Sequence, residues 1–144
     1  MYKAPKWFSS TKAGSHGNTP AQKKAWTIVS AYVRQRDFKN YHGKCVSCPR
    51  ILENWQDGDC AHYKAWGACN GFFKYELTNL ALSCKNCNRL SDGNVGHAFG
   101  EELKRRYGKK HLEWIATEDR KHTGEKLEEW LLVEMCEKLY ETLM

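Results

Sequence analysis

The stretch DCAHYKAWGAC, residues 59–69, holds one Asp, one His and two Cys. It lies between two CxxC pairs, Cys45-Val-Ser-Cys48 and Cys84-Lys-Asn-Cys87. A CxxC turn sets two thiolates about one metal-ligand span apart. Two such turns make a closed tetrahedral site of four thiolates, the arrangement of structural zinc. Between Cys48 and Cys84 lie 35 residues, more than the roughly 15–20 of a simple zinc ribbon. The expected zinc therefore clamps the ends of an insert that contains His62, and holds His62 at a fixed place relative to Asn88. A redox role for the CxxC pairs would need a surrounding βαβ pattern, and none is seen.

Asp59, His62, Asn79 and Asn88 have the types that metal-assisted phosphodiester cleavage requires. A water must lose its proton as it attacks phosphorus, and a neutral histidine does this near pH 7. The charge that builds on phosphate and on the leaving 3′-oxygen must be neutralised, and one hard divalent cation does both. Asp59 and the side-chain oxygen of Asn88 are hard ligands. Magnesium is content with few protein ligands beside phosphate and water, so Mg²⁺ or Mn²⁺ is the expected catalytic metal. Asn79 is expected to orient the His62 ring by a hydrogen bond from its side chain or backbone.

Three rival chemistries use the same letters. Cys60, His62 and Cys69 suggest a second zinc, but no fourth ligand is evident and a CxH spacing strains tetrahedral geometry. Cys60 and Cys69 read more simply as small buried side chains. A zinc deaminase needs HxE and PCxxC; here Lys64 follows two after His62, and Ser83 precedes Cys84. A non-catalytic zinc module that binds DNA or RNA accounts for the cysteines and the charge. It leaves the joint presence of Asp59, His62, Asn79 and Asn88 without a reason.

With these residues in view the chain resembles the HNH nucleases, also called ββα-metal or His-Me finger nucleases, with zinc knuckles. The resemblance rests on SAYVRQRD upstream of CVSC, then the histidine of DCAHY, then TNL…SCKNCNRLSDGN. Within that group the chain is most similar to the phage NinG/Rap recombination endonucleases, and the likeness covers residues 26 to 108. It implies that His62 is the general base, that Asn79 is the middle Asn of the HNH pattern, and that Asn88 is the final metal-binding position. The residue before the base is commonly an acid, and here it is Ala61. A further likeness to resolvases of the phage endonuclease VII type gives the metal to Asp59, three residues before His62. The resemblance also implies hydrolysis of branched DNA, such as D-loops or Holliday-type junctions, leaving 5′-phosphate and 3′-hydroxyl ends.

The charge agrees with a polyanionic partner. Residues 1–110 carry 19 Lys+Arg against 8 Asp+Glu, a net of +11, while residues 111–144 carry 4 against 9, a net of −5. Such asymmetry points to nucleic acid. Lys64, Lys85 and Arg89 beside the motif, with Arg34 and Arg36 upstream, are candidate phosphate contacts; Arg36 and Asp37 also suit an internal pair. Trp55 and Trp66 read first as packing residues and second as stacking platforms for unpaired bases.

The elements that position these residues read as one α+β domain, with a ββα-metal core clamped by the four-cysteine site and flanked by N- and C-terminal helices. Residues 1–18 carry Lys3, Lys6 and Lys12 without an acid and read as a flexible basic arm, with Trp7 and Phe8 as its anchors. The domain proper covers 19–144. Thr19 and Pro20 cap and open a helix whose face is Trp26, Val29 and Val33. The core spans about 40–98, rich in Gly, Cys and Asn, with strand residues in KYELTNLALSC and a short helix following CNRLS, ended by Gly93. The C-terminal helices occupy 99–144. One breaks near Gly108. The other is capped by Thr123 and carries Leu132, Cys136, Leu139 and Leu143 on a stripe widened by Leu127, Trp130 and Leu131. That stripe packs on the body or pairs with a second copy in a homodimer, which symmetric junction cutting would use. No apolar run approaches the roughly 20 residues of a membrane span, and the N-terminus has no signal-peptide core. Seven cysteines without a secretory signal fit a cytoplasmic protein, that of the host cell if phage-encoded.

Overall fold

The computed structural model describes residues 1–89 and 93–144. They form two compact units, one of residues 1–32 with 126–144 and one of residues 33–125. Six helices, α1 (Lys6–Ser9), α2 (Pro20–Asn40), α3 (Lys85–Arg89), α4 (Gly93–Tyr107), α5 (Lys109–Glu118) and α6 (Glu129–Thr142), accompany two strands, β1 (Gly58–His62) and β2 (Leu80–Cys84), among the described residues. The class is α+β, as expected. No helix of the described residues is long and apolar enough to cross a membrane.

In the first unit α2 begins as its residues dictate. The Thr19 hydroxyl accepts from the Gln22 N–H at 3.2 Å, and Gln22 Oε1 accepts from the Asn18 N–H at 2.8 Å. This exchange is close to a capping box. Ala25, Trp26, Ile28 and Val29 are buried along one side. Residues 1–18 carry α1, whose Phe8 is buried. Lys24 Nζ donates to the Ser9 carbonyl at 2.6 Å, the Thr27 hydroxyl to the Lys12 carbonyl at 2.6 Å, and the Gly14 N–H to the Lys23 carbonyl at 2.8 Å. Trp7 stacks on Tyr140 at 4.7 Å, so the aromatic anchor expected of this segment is present.

Helix α6 starts at Glu129, six residues after Thr123. Gly124 has φ +80°, a left-handed conformation that ends any helix entered from Thr123. Residues Asp119–His122 instead make a 3-10 turn. The apolar stripe packs within its own unit: Leu132 and Cys136 are fully buried, and Cys136 Sγ lies 3.9 Å from the Ala25 carbonyl. Trp130, expected on that stripe, is exposed.

In the second unit β1 and β2 pair antiparallel, with Gly58 opposite Cys84, Asp59 opposite Ser83 and His62 opposite Leu80. Both faces of the pair are covered. Ala61 and its partner Ala81 join Phe73, Phe99, Leu103 and Ile115 in one cluster. Leu82 and Cys84 join Cys45, Leu52 and Cys87 in another. Alternate residues of a strand point to opposite faces, so β2 is buried at all five positions. Gly58 permits this closeness: a Cβ there would sit 2.7 Å from the Ser83 carbonyl. Residues 63–79 connect the strands through three 3-10 turns, and α3 follows β2 without a break.

The short helix expected after CNRLS, ended by Gly93, begins earlier. Cys87, Asn88 and Arg89 belong to α3, which starts at Lys85, and Gly93 opens α4. Residues 90–92 lie outside the described residues. The expected break near Gly108 is seen: this glycine, at φ +92°, separates α4 from α5.

Candidate metal centre and functional site

Cys45, Cys48, Cys84 and Cys87 place their sulfurs within 4.8 Å of one another. Two turns build this cluster. The chain reverses after α2 through His42 (φ +56°) and Gly43 (φ +75°), where a Cβ on Gly43 would meet the Leu52 carbonyl at 2.7 Å. Lys44 bridges to Ile51, and the Cys45 N–H donates to the Arg50 carbonyl at 2.8 Å. Cys84 ends β2 and Cys87 lies one turn into α3.

Backbone donors converge on the sulfurs. Cys45 Sγ accepts from the N–H of Cys84 at 3.2 Å and of Ser47 at 3.4 Å, and Cys84 Sγ accepts from the Cys87 N–H at 3.4 Å. Burial pushes the Cys45 thiol up, but hydrogen bonds from the Cys84 and Ser47 backbone and the Ser83 hydroxyl outweigh it and bring the value down to about 7. Burial raises Cys48 and Cys87. The donor set and its spacing suit a tetrahedral metal ion such as zinc.

Cys60 and Cys69 behave otherwise. Burial raises Cys60 and pushes Cys69 up to about 11. The Cys69 thiol donates to the Lys64 carbonyl at 3.3 Å. Among the described residues no second group of three or more His, Cys, Asp or Glu converges on a metal-sized space. They are inert buried thiols.

Asp59 and Asn88 are brought together. Asn88 Nδ2 donates to Asp59 Oδ2 at 3.0 Å at the surface of the unit, from α3 to β1. His62 ends β1, partly buried. Its Nε2 lies 3.1 Å from the Lys74 carbonyl, and its ring meets Trp66 edge to face at 5.5 Å. A carbonyl only accepts, so Nε2 is the donor in that contact.

Asn79 is fully buried and acts next to His62 and not on its ring. Its carbonyl accepts from the Tyr63 N–H at 2.9 Å. Its Oδ1 accepts from the Lys64 N–H at 2.7 Å and its Nδ2 donates to the Lys64 carbonyl at 3.1 Å. The ring is oriented by the Lys74 carbonyl, a partner that sequence reasoning misses because a backbone oxygen has no residue signature.

The candidate phosphate contacts divide. Lys85 and Arg89 are exposed on α3, before and after Cys87 and Asn88 in the chain. Arg34 lies over the Trp55 ring at 4.8 Å, and burial lowers its pKa while Cys60 and Asp59 oppose this. Lys64 Nζ is 2.8 Å from the buried carboxylate of Asp119. Asp119 also accepts from the Asn70 N–H at 2.7 Å; it is a second residue that carries no motif. Arg36 is turned inward: Nε donates to Asp37 Oδ1 at 2.8 Å, Nη1 to the Leu77 carbonyl and Nη2 to the Leu80 carbonyl, both at 2.9 Å. Of its two expected uses, the internal pair is the one observed.

No curated protein and no solved structure matches the chain. Residues 11–138 match the family described as "NinG: Bacteriophage Lambda NinG protein". That match spans most of the 144 residues and takes in the cysteine cluster, the strand pair and α3, and so this chain belongs to the phage lambda NinG family.

Proposed function

We propose that this chain is a metal-dependent DNA endonuclease that hydrolyses phosphodiesters in branched recombination intermediates. The contact of Asp59 with Asn88 at 3.0 Å carries the reading. It joins an amide on α3, the helix that carries Cys87 of the cysteine cluster, to a carboxylate on β1, the strand that ends in His62. A hard divalent cation, Mg²⁺ or Mn²⁺, bound there supplies charge neutralisation to phosphate and to the leaving oxygen.

His62 is held with Nε2 on the Lys74 carbonyl, and its imidazole takes the proton of the attacking water on this reading. Asn79 fixes the backbone directly after His62. Asn88 would turn its amide so that Oδ1 faces the cation. Lys85 and Arg89 hold flanking phosphates, and Arg34 adds positive charge beside Asp59. The nuclease fold to which this corresponds is a ββα-metal core, supported by the order β1, β2, α3. A homodimer would supply two sites to a symmetric junction.

The reading is tested by incubating end-labelled four-way junctions, D-loops and linear duplex with the zinc-loaded protein, with Mg²⁺ and with chelator. Mg²⁺-dependent cutting of the branched substrates with 5′-phosphate ends is expected. Tight binding without cutting in any divalent metal would assign a zinc-based DNA- or RNA-binding module instead.

A further inference from the structure

The segment SAYVRQRD, residues 30–37, ends with Arg36 and Asp37 on α2. A two-stranded sheet leaves each strand an outer edge of unpaired N–H and C=O groups. On β2 that edge includes the Leu80 carbonyl and the Leu82 N–H, which share one side of the strand. Both are taken by two adjacent side chains of α2. Arg36 Nη2 donates to the Leu80 carbonyl at 2.9 Å, and Asp37 Oδ2 accepts from the Leu82 N–H at 2.9 Å. The pair presents donor and acceptor as the edge of a third strand would.

The guanidinium also reaches past the strand. Its Nη1 holds the Leu77 carbonyl at 2.9 Å, so one planar group spans the two carbonyls that flank Thr78 and Asn79. Only an arginine fork does this; an ammonium on a flexible stem does not. Asp37 is fully buried and takes a second arginine, Arg106, at 3.0 Å. A charge so buried is costly unless all its partners are present, which makes the arrangement rigid.

We propose that Arg36 and Asp37 are positioning residues that stand in for a missing strand, lock the turn holding Asn79, and through Asn79 fix the backbone at Tyr63 and Lys64 that aims His62. The catalytic half rests on the nuclease reading; the clamp itself does not.

The test compares Arg36→Lys with Ile115→Val, a core change in the same unit, each against wild type in the zinc-loaded protein. Amide exchange at Tyr63 and Lys64, the ¹⁵N shifts of the His62 ring and junction cleavage are followed. Arg36→Lys is expected to speed exchange at Tyr63 and Lys64 at least about 10-fold beyond any global change, to shift the His62 nitrogens, and to lower kcat about 10–100-fold with little change in KM, the usual span for lost outer-shell support. Ile115→Val, whatever stability it loses, does none of these. If wild type cuts and Arg36→Lys cuts equally well, the positioning role is overturned. If exchange at the two amides follows the global change, the clamp is overturned. A wild type that cuts nothing sinks the nuclease reading, and the exchange data still decide the clamp.

Discussion

Asn88 Nδ2 lies 3.0 Å from Asp59 Oδ2 although the two residues are 29 positions apart in the chain. The strand pair and the direct passage from β2 into α3 make that meeting. Asn88 is exposed, and Asp59 also lies within the electrostatic reach of Arg34. Replacing Asp59 by Ala is expected to reduce Mg²⁺-dependent cleavage at least about 100-fold, since a direct ligand matters no less than outer-shell support. Zinc content and the thermal midpoint should stay near wild type. Titration of Mn²⁺ followed by electron paramagnetic resonance checks the same residue without activity, and unchanged Mn²⁺ affinity would remove Asp59 from the metal.

Metal removal should act on folding first. Cys84 closes β2 and Cys45 accepts from its N–H, so the cluster and the strand pair share a residue. Chelation at neutral pH is expected to release one zinc per chain and to expose the β1 and β2 amides to exchange, because structural zinc contributes folding energy directly. Cys84→Ser should do the same. Full protection of these amides in metal-free protein would contradict the clamp assigned to the cysteines.

Asn79 makes three hydrogen bonds to the backbone of residues 63 and 64. Asn79→Ala breaks the two made by its side chain and leaves both Lys64 groups without that partner. A loss of about 2–3 kcal/mol is expected in denaturant unfolding. A loss below about 0.5 kcal/mol would mean that water replaces Asn79 without cost.

One acid-dependent effect follows from Glu102. Hydrogen bonds from Arg105, opposed by burial and reinforced by Arg106, hold its carboxyl down at about 2, against an ordinary value of roughly 4.3. A carboxyl depressed in the folded state stabilises above its unfolded value, and the gain is lost as pH falls through the folded one. The stability difference between wild type and Glu102→Gln should therefore be complete at pH 6, shrink from about pH 4, and vanish near pH 2. A difference constant across that range would show that the arginines do not favour the ionised form.

The cationic side chains should separate by use. Lys85→Ala and Arg89→Ala are expected to weaken junction binding and to lower the salt dependence by about one unit per charge. Lys64→Ala should cost stability instead, since it strands the buried Asp119. Equal effects on binding from all three would mean that Lys64 leaves Asp119 for phosphate.

Much of this was legible where one residue type does one thing. The four cysteines, the Thr19 and Pro20 start of α2, and the pairing of Arg36 with Asp37 follow from local chemistry. What escaped has a physical cause. Helix α4 starts at Gly93, six residues before the expected boundary at 99, a start that Gly93 and Gly96 hide behind poor helix propensity. Helix α6 starts late because Gly124 overrules the cap at Thr123. Strand β1, Gly-Asp-Cys-Ala-His, has no alternation to read: Cys60 and the adjacent Ala61 are both buried, on a sheet covered on both faces. The Lys74 carbonyl and Asp119 matter through tertiary placement, which no spacing reveals.

On the nuclease reading His62 takes the proton of the attacking water. The direct measurement is cleavage of a labelled four-way junction in Mg²⁺ by wild type and by His62→Ala, both shown to hold zinc. Wild type is expected to cut and the mutant to lose about 100-fold or more of that activity, with junction binding retained. A zinc-replete His62→Ala protein that cuts at the wild-type rate would contradict it.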